Sequence, residues 1–163
     1  MLDLLAEAGF CHLSGLDLNP PTAVPGKKSA WQFLQGSALK LPFEENSFDW
    51  ILCAHALHHL PDYRNIAQLL QEAWRCLRPG GRLALVDHYD SPWLRLAFGL
   101  LSSPLAELTA WSSAFRKQLA AEIEPLTDYL NHWHDAEKMI RQSPFGSTEL
   151  RKDLFFFYFS GRK

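Results

Sequence analysis

Four places along the chain hold residue types that could do chemistry. Asp17 closes one apolar stretch, Ser37-Ala38 follows a second, Ala54-His55 a third and Asp87-His88 a fourth. If those stretches are strands of an open α/β sheet, their carboxyl ends form one row of loops, and ligands bind just beyond such a row. A carboxylate at that point can accept both hydroxyls of a ribose, as a nucleotide cofactor requires; the alternative for Asp17 is a solvated turn or a helix cap. His55 and His88 stand at strand ends and could serve as general bases near neutral pH. Asp87 has the alternative of capping the turn that follows it. His58-His59 and His132-Trp133-His134 form denser groups. No cysteine or carboxylate falls at zinc-ligand spacing beside them, so packing and hydrogen bonding are the expected roles and no metal is assigned.

The elements that must position these residues are readable in outline. Residues 1–8 carry apolar side chains at helical spacing and end at Gly9, a C-terminal capping position. Residues 10–16 and 31–34 read as short strands, separated by Asn19-Pro20-Pro21 and Pro25-Gly26. Residues 47–54 form a near-continuous apolar run, suited to a strand buried on both faces of a parallel sheet. Asp62 is placed to cap the next helix. There Ile66, Leu69, Leu70, Ala73, Trp74 and Leu77 make one amphipathic stripe, Arg75 and Arg78 favour its C-terminal pole, and Pro79-Gly80-Gly81 stops it. Residues 82–86 give another buried strand. Residues 91–124 and 127–141 read as helical, and residues 154–159 as a strand too apolar for an exposed edge. Strands alternating with helices predict an α/β domain with a mostly parallel sheet.

Bulk properties narrow the function. At 163 residues the chain suits one domain. With 16 basic against 18 acidic residues, and no basic face, it offers no purchase for nucleic acid. Cys11, Cys53 and Cys76 lie in apolar stretches without CxxC spacing, which points to reduced thiols and a cytoplasmic protein. The start lacks the pattern of a signal peptide. Residues 93–108 are interrupted by Arg95, Pro104 and Glu107, and are too short for a membrane span of about 20 apolar residues.

Four segments together are similar to one family. Gly15-Leu16-Asp17-Leu18-Asn19-Pro20 resembles the second-strand segment of class I S-adenosylmethionine-dependent methyltransferases, and Gly36-Ser37-Ala38-Leu39-Lys40-Leu41-Pro42-Phe43 resembles their GDAxxLPF segment. Residues 47–60 (SFDWILCAHALHHL) resemble the fourth-strand signature, and residues 72–83 (EAWRCLRPGGRL) the helix-to-PGG stretch. The resemblance covers roughly residues 1–90, and the nearest subgroup includes the ubiquinone and menaquinone methyltransferases, known as methyltransferase type 11. It implies a Rossmann-like fold, S-adenosylmethionine as cofactor and methyl transfer to a small-molecule acceptor. Residue by residue, it implies that Asp17 binds the ribose and Leu18 packs on the adenine. Ser37 and Ala38 would meet the adenine edge, and Ala54 would approach the methionine part. His58 and His59 match the family's HH pair. The aromatic residues between Trp93 and Phe115 would pack as core or cover, or line a pocket for an apolar acceptor.

Three departures accompany the resemblance. The family's opening strand and glycine-rich ExGxGxG loop have no counterpart here, where only glycine would let backbone approach the cofactor. In the family that strand lies between those ending at Asp17 and Ala54, and its absence would leave a gap of about 10 Å at a strand spacing of about 4.8 Å. Ser37 stands where an aspartate is usual, and residues 17–31 are short and proline-rich for a crossover. The expectation is one N-terminally incomplete domain over residues 1–163, from a misassigned start codon or a truncated gene, with a helical substrate cover at about residues 91–124. Two other readings stay open: a non-catalytic remnant or partner subunit of the same fold, and a nicotinamide-dependent oxidoreductase. The second lacks a Tyr-xxx-Lys pair and would not call for the LHHLPD and PGG stretches. The acceptor, a catalytic residue and the oligomeric state are not legible.

Overall fold

Gly15 shows why the first elements pack as they do. A Cβ there would lie 2.8 Å from the Phe33 ring and 3.0 Å from Leu2, so only glycine lets helix, strand and neighbouring strand close together. Helix α1 (Leu2–Glu7) ends at Gly9, whose φ of +90° gives the left-handed turn expected from sequence. Strands β1 (Leu13–Asp17) and β2 (Trp31–Gln35) pair in parallel, in register from Leu13 against Trp31 to Asp17 against Gln35. Trp31 Nε1 donates to Asp3 of α1 at 3.0 Å. These elements belong to the first of two compact units, Met1–Phe43 and Glu44–Lys163, in a computed structural model that describes residues 2–19, 31–101, 123 and 125–163. The expected irregular stretch between Pro20 and Ala30 lies outside the described residues.

The second unit is a four-stranded sheet with helices packed on it. Its strands are β3 (Phe48–Ala54), β4 (Leu77–His88), β5 (Gly146–Lys152) and β6 (Phe156–Arg162), in spatial order β3-β4-β6-β5. β3 and β4 run parallel, joined through helix α2 (Asn65–Cys76) as a β-α-β crossover, while β6 runs antiparallel to β4 and to β5. This is the expected α/β, Rossmann-like arrangement. Within the sheets, β1 pairs with β2 alone and β3 with β4 alone among the described residues.

Of the stripe expected for α2, Ile66, Leu69, Leu70 and Ala73 are buried, Trp74 is half-buried and Leu77 belongs to the next strand, while Cys76 is buried as well. α2 packs against β4, where Leu77, Leu83 and Leu85 are buried, and against helix α4 (Trp133–Arg141), where Trp133, Ala136 and Ile140 are buried. Phe157 of β6 is fully buried, its ring 4.7 Å from that of Trp133. Helix α3 (Pro92–Leu101) starts at Ser91, whose Oγ accepts Leu94 N at 3.0 Å and donates to Leu154 O at 2.6 Å.

Several sequence expectations need correction. α2 ends at Cys76, not at the Pro-Gly-Gly stretch: Leu77 is already extended, and β4 begins there rather than at Arg82. Gly80, at φ +84°, lies within the strand. Arg78 therefore serves no helix pole; it pairs with Asp49 at 2.9 Å, while Arg75 pairs with Glu72. Asp62 Oδ1 accepts Arg64 N at 2.8 Å, so it shapes the approach to α2, whose N-cap is Arg64. The expected helix at 127–141 is interrupted at His132, a turn between helical residues 125–131 and α4. The closing strand lies slightly later than read, at β6, and inside the sheet as its apolarity required. β5 was not expected at all. Of the substrate cover, α3 is helical as read, and residues 102–122 and 124 lie outside the described residues.

Candidate functional site

In the first unit, the parallel ends of β1 and β2 bring Asp17 and residues 36–38 to the same edge. Asp17 is exposed and its Oδ1 accepts Asn19 N at 2.8 Å, an Asx turn that turns the chain away after the strand. The next residue, Leu18, is 60% exposed, an apolar face beside an acid. Gln35 Nε2 donates to Leu18 O at 2.9 Å, and Gly36 N to Asp17 O at 2.9 Å, so the two strand ends are laced together. A Cβ on Gly36 would meet Leu16 at 2.8 Å, which is why the chain passes here as glycine. Ser37 Oγ accepts Leu39 N at 3.2 Å, and Lys40 N donates to Ser37 O at 3.1 Å, a tight turn with Ala38 half-buried within it. A carboxylate for a diol, an apolar side chain for a flat base and a hydroxyl for its edge are a donor set that fits a nucleoside.

In the second unit, parallel pairing of Ala54 with Val86 sets the ends of β3 and β4 side by side. Ala54 is half-buried, and His55 follows at φ +52° with its N–H on Val86 O at 2.8 Å. Beyond them lies the most buried charge among the described residues, Asp87. One of its oxygens accepts Leu57 N at 2.8 Å; the other accepts His88 N at 2.7 Å and meets His58 Nδ1 at 2.6 Å. Burial alone would raise the Asp87 pKa, but the His58 hydrogen bond and charge, with the two backbone N–H groups, hold it below the ordinary carboxylate range. An ionised carboxylate facing Nδ1 fixes the proton on that nitrogen.

Other titratable groups crowd around this pair. Burial pulls the His88 pKa down against the Coulombic pull of Asp87, and its Nδ1 is buried without a hydrogen-bond partner among the described residues. The His55 and His88 rings are 5.5 Å apart and both lie against Phe156. Burial, with Asp87 adding to it, pushes the Cys53 thiol up to about 12, so it stays protonated and is no nucleophile. A cavity of about 290 Å³ opens on the other side of His58, lined by Leu57, His58, Leu60, Pro61, Tyr63 and Tyr129 among others. Tyr63 stacks on His132 at 4.4 Å, which closes one flank.

Sequence reading placed His55 and His88 as candidate bases and gave His58 a packing role. The Asp87–His58 pair escaped it because its members lie 29 residues apart. The signal was there in part: adjacent parallel strands carrying Ala54 and Asp87 at their ends put the turn after the first of them near that acid. Asp87 does not cap the turn after it; apart from its own neighbour His88, its partners come from the turn after β3. Among the described residues, no group of three or more His, Cys, Asp or Glu side chains could hold a metal ion. Nor does any described helix have the length and apolarity to cross a membrane.

Known proteins resemble this chain in sequence and in fold. The protein is 35% identical over 83 residues to a demethylmenaquinone methyltransferase of Listeria monocytogenes, covering 47% of this chain and 34% of that one. It is 32% identical over 126 residues to that of Lactococcus lactis, covering 74% and 48%. The chain thus spans between a third and a half of the length of these curated relatives. In fold it is similar to the PH0226 protein of Pyrococcus horikoshii, with a TM-score of 0.68 at 17% identity over 98% of this chain and 76% of that one. It is also similar to an S-adenosylmethionine-dependent methyltransferase of Mesorhizobium loti, with a TM-score of 0.63 at 16% identity, covering 99% and 84%. A family model described as a methyltransferase domain matches residues 1–85, from α1 into β4 and including Asp17, Ser37 and Ala54, and on that match the chain belongs to the methyltransferase domain family.

Proposed function

We propose that the chain carries out S-adenosylmethionine-dependent methyl transfer to a small-molecule acceptor, both units belonging to one methyltransferase domain. The observation that carries this reading is Asp17, an exposed carboxylate at the end of a parallel strand, in a segment that falls within the family match. In this reading Asp17 accepts the ribose hydroxyls, Leu18 covers the adenine, Ser37 and Ala38 border its edge, and Ala54 lies toward the methionine part. The donor, when bound, supplies a methyl group already activated by its sulfonium. What remains for the protein is to hold the acceptor in line and exclude water, and such alignment supplies about 7–11 kcal/mol. The names of the relatives, demethylmenaquinone methyltransferases, favour a ring compound with an apolar character as acceptor.

Titration calorimetry with S-adenosylmethionine tests the reading. Asp17→Ala removes a charge-assisted hydrogen bond of about 1.5–3 kcal/mol, so binding should weaken roughly tenfold to a hundredfold. Equal affinity in the variant, or no binding by wild type at millimolar concentration, would refute it.

A further inference from the structure

We propose that the oxygens of Asn46, Trp74 and Leu77 form a binding site for a singly charged ammonium group at the end of α2, and that the chain's own Lys163 fills it as a tethered ligand. The site lies wholly in the second unit and does not rest on the methyl-transfer reading. Lys163 Nζ donates to Trp74 O and to Leu77 O at 2.7 Å each, and to Asn46 Oδ1 at 3.0 Å. It lies 5.5 Å from the centre of the Trp74 ring, within reach of a cation–π attraction.

The end of a helix leaves its last four carbonyls without partners inside the helix. At α2 they belong to Ala73, Trp74, Arg75 and Cys76. Leu77 N reaches Ala73 O, and two more donors come from residues just before β3: Asn46 N meets Arg75 O at 3.1 Å and Ser47 N meets Cys76 O at 2.7 Å. Trp74 O takes its hydrogen from Lys163, as does the carbonyl of Leu77, a fully buried residue. The rest of the site is held in place without the lysine. Asn46 sits at φ +57°, in the left-handed region that asparagine tolerates, and its own carbonyl accepts Arg78 Nε at 3.2 Å. The Phe145 ring stands edge-on to that of Trp74 at 5.1 Å.

The donor set names the ligand class. Three acceptors match the three hydrogens of a primary ammonium. None of the three carries a formal charge, whereas calcium or magnesium calls for carboxylates. The negative pole of α2 and the face of the Trp74 ring both favour a single positive charge. Lys163 brings that charge from the end of β6, and its backbone is fixed on β4: Gly80 N donates to Lys163 O at 2.8 Å, and Lys163 N to Gly81 O at 2.9 Å. One residue thus fastens that end of β6 to the helix that crosses from β3 to β4. A free ammonium ion would satisfy the oxygens without making the link.

Emptying the site and offering it a free cation is the test. Lys163→Ala should lower the thermal midpoint by roughly 5 °C. Ammonium chloride at about 0.5 M should restore about half of that loss, because it binds the folded state alone. Sodium chloride at the same strength should restore little, as should tetramethylammonium chloride, which has no N–H to donate. Lys163→Met, whose side chain follows the lysine stem and blocks the site, should melt as low and respond to the three salts alike. In wild type, nuclear magnetic resonance should show the ammonium hydrogens of Lys163 exchanging with water about tenfold more slowly than those of the exposed Lys40. An unmoved midpoint in Lys163→Ala, equal recovery with all three salts, or exchange at Lys163 as fast as at Lys40 would overturn the proposal. If Lys163→Ala does not fold, the wild-type exchange rates decide it.

Discussion

Asp87 and His88 are neighbours with depressed pKa values, and the sign of each fixes how stability responds to acid. Burial disfavours the charged form of His88, so the unfolded chain binds a proton near the ordinary histidine value, about 6.5, before the folded chain does. Stability from this group is complete above that pH and falls as acid is added. Asp87 titrates below its ordinary value in the folded chain, so its share is complete above about pH 4 and is lost as pH falls through the depressed value. Glu137, held low by Lys152 and Arg141 against its own burial, and Asp153, held low by the Phe156 and Phe155 N–H groups, steepen the same step. Urea midpoints against pH should therefore decline in two stages. His88→Gln should flatten the stage between about pH 7 and 5; a full slope in that variant would assign it elsewhere. From sequence, Asp17, Ser37 and Ala54 could be set at strand ends because apolar runs stop there. The dyad could not, since it depends on which strands are neighbours and on the hydrogen bonds in a turn without regular pattern.

Elements were legible in proportion to their apolar periodicity. α2 shows a stripe at helical spacing, and β4 a near-continuous apolar run with Leu83 and Leu85 buried; β3 has such a run too, but the burial on both faces expected of it is not found, Trp50 and Leu52 being exposed where β3 has no strand on its other side among the described residues. β5 (GSTELRK) has neither, being polar on both faces with Leu150 its half-buried exception. It is a strand because β6 offers it an edge and because Asp153 builds the connecting turn: its Oδ1 accepts both Phe155 N and Phe156 N at 2.8 Å. The Pro-Gly-Gly stretch misled for a related reason. These residues usually end structure, but here Gly80 N donates to Lys163 O at 2.8 Å and Lys163 N to Gly81 O at 2.9 Å, so β6 continues alongside. β6 in turn brings the heaviest packing, through Phe157 and Phe159. Phe157→Ala should cost about 3–5 kcal/mol in chemical denaturation, with the slope unchanged. A loss below about 1 kcal/mol would mean that Phe157 does not anchor α4 on the sheet.

At the scale of the whole molecule, chain order and spatial order disagree in one instructive place. β6 comes after β5 in the chain but lies between β4 and β5 in the sheet. A ribosome releasing this protein therefore delivers the middle of the sheet last. Until β6 leaves the exit tunnel, β4 has β3 on one side and nothing to pair with on the other, and β5 has no neighbour at all. Such late, non-local pairing is slow to form and leaves hydrophobic edges open meanwhile. Nascent chains arrested with β6 still in the tunnel should be cut readily by protease across β4 and β5. Chains arrested with β6 clear of it should resist, and equal resistance at both lengths would mean that the sheet assembles without its central strand. Molecular chaperones that hold emerging chains would then have their longest engagement with this protein in the interval between the appearance of β4 and that of β6.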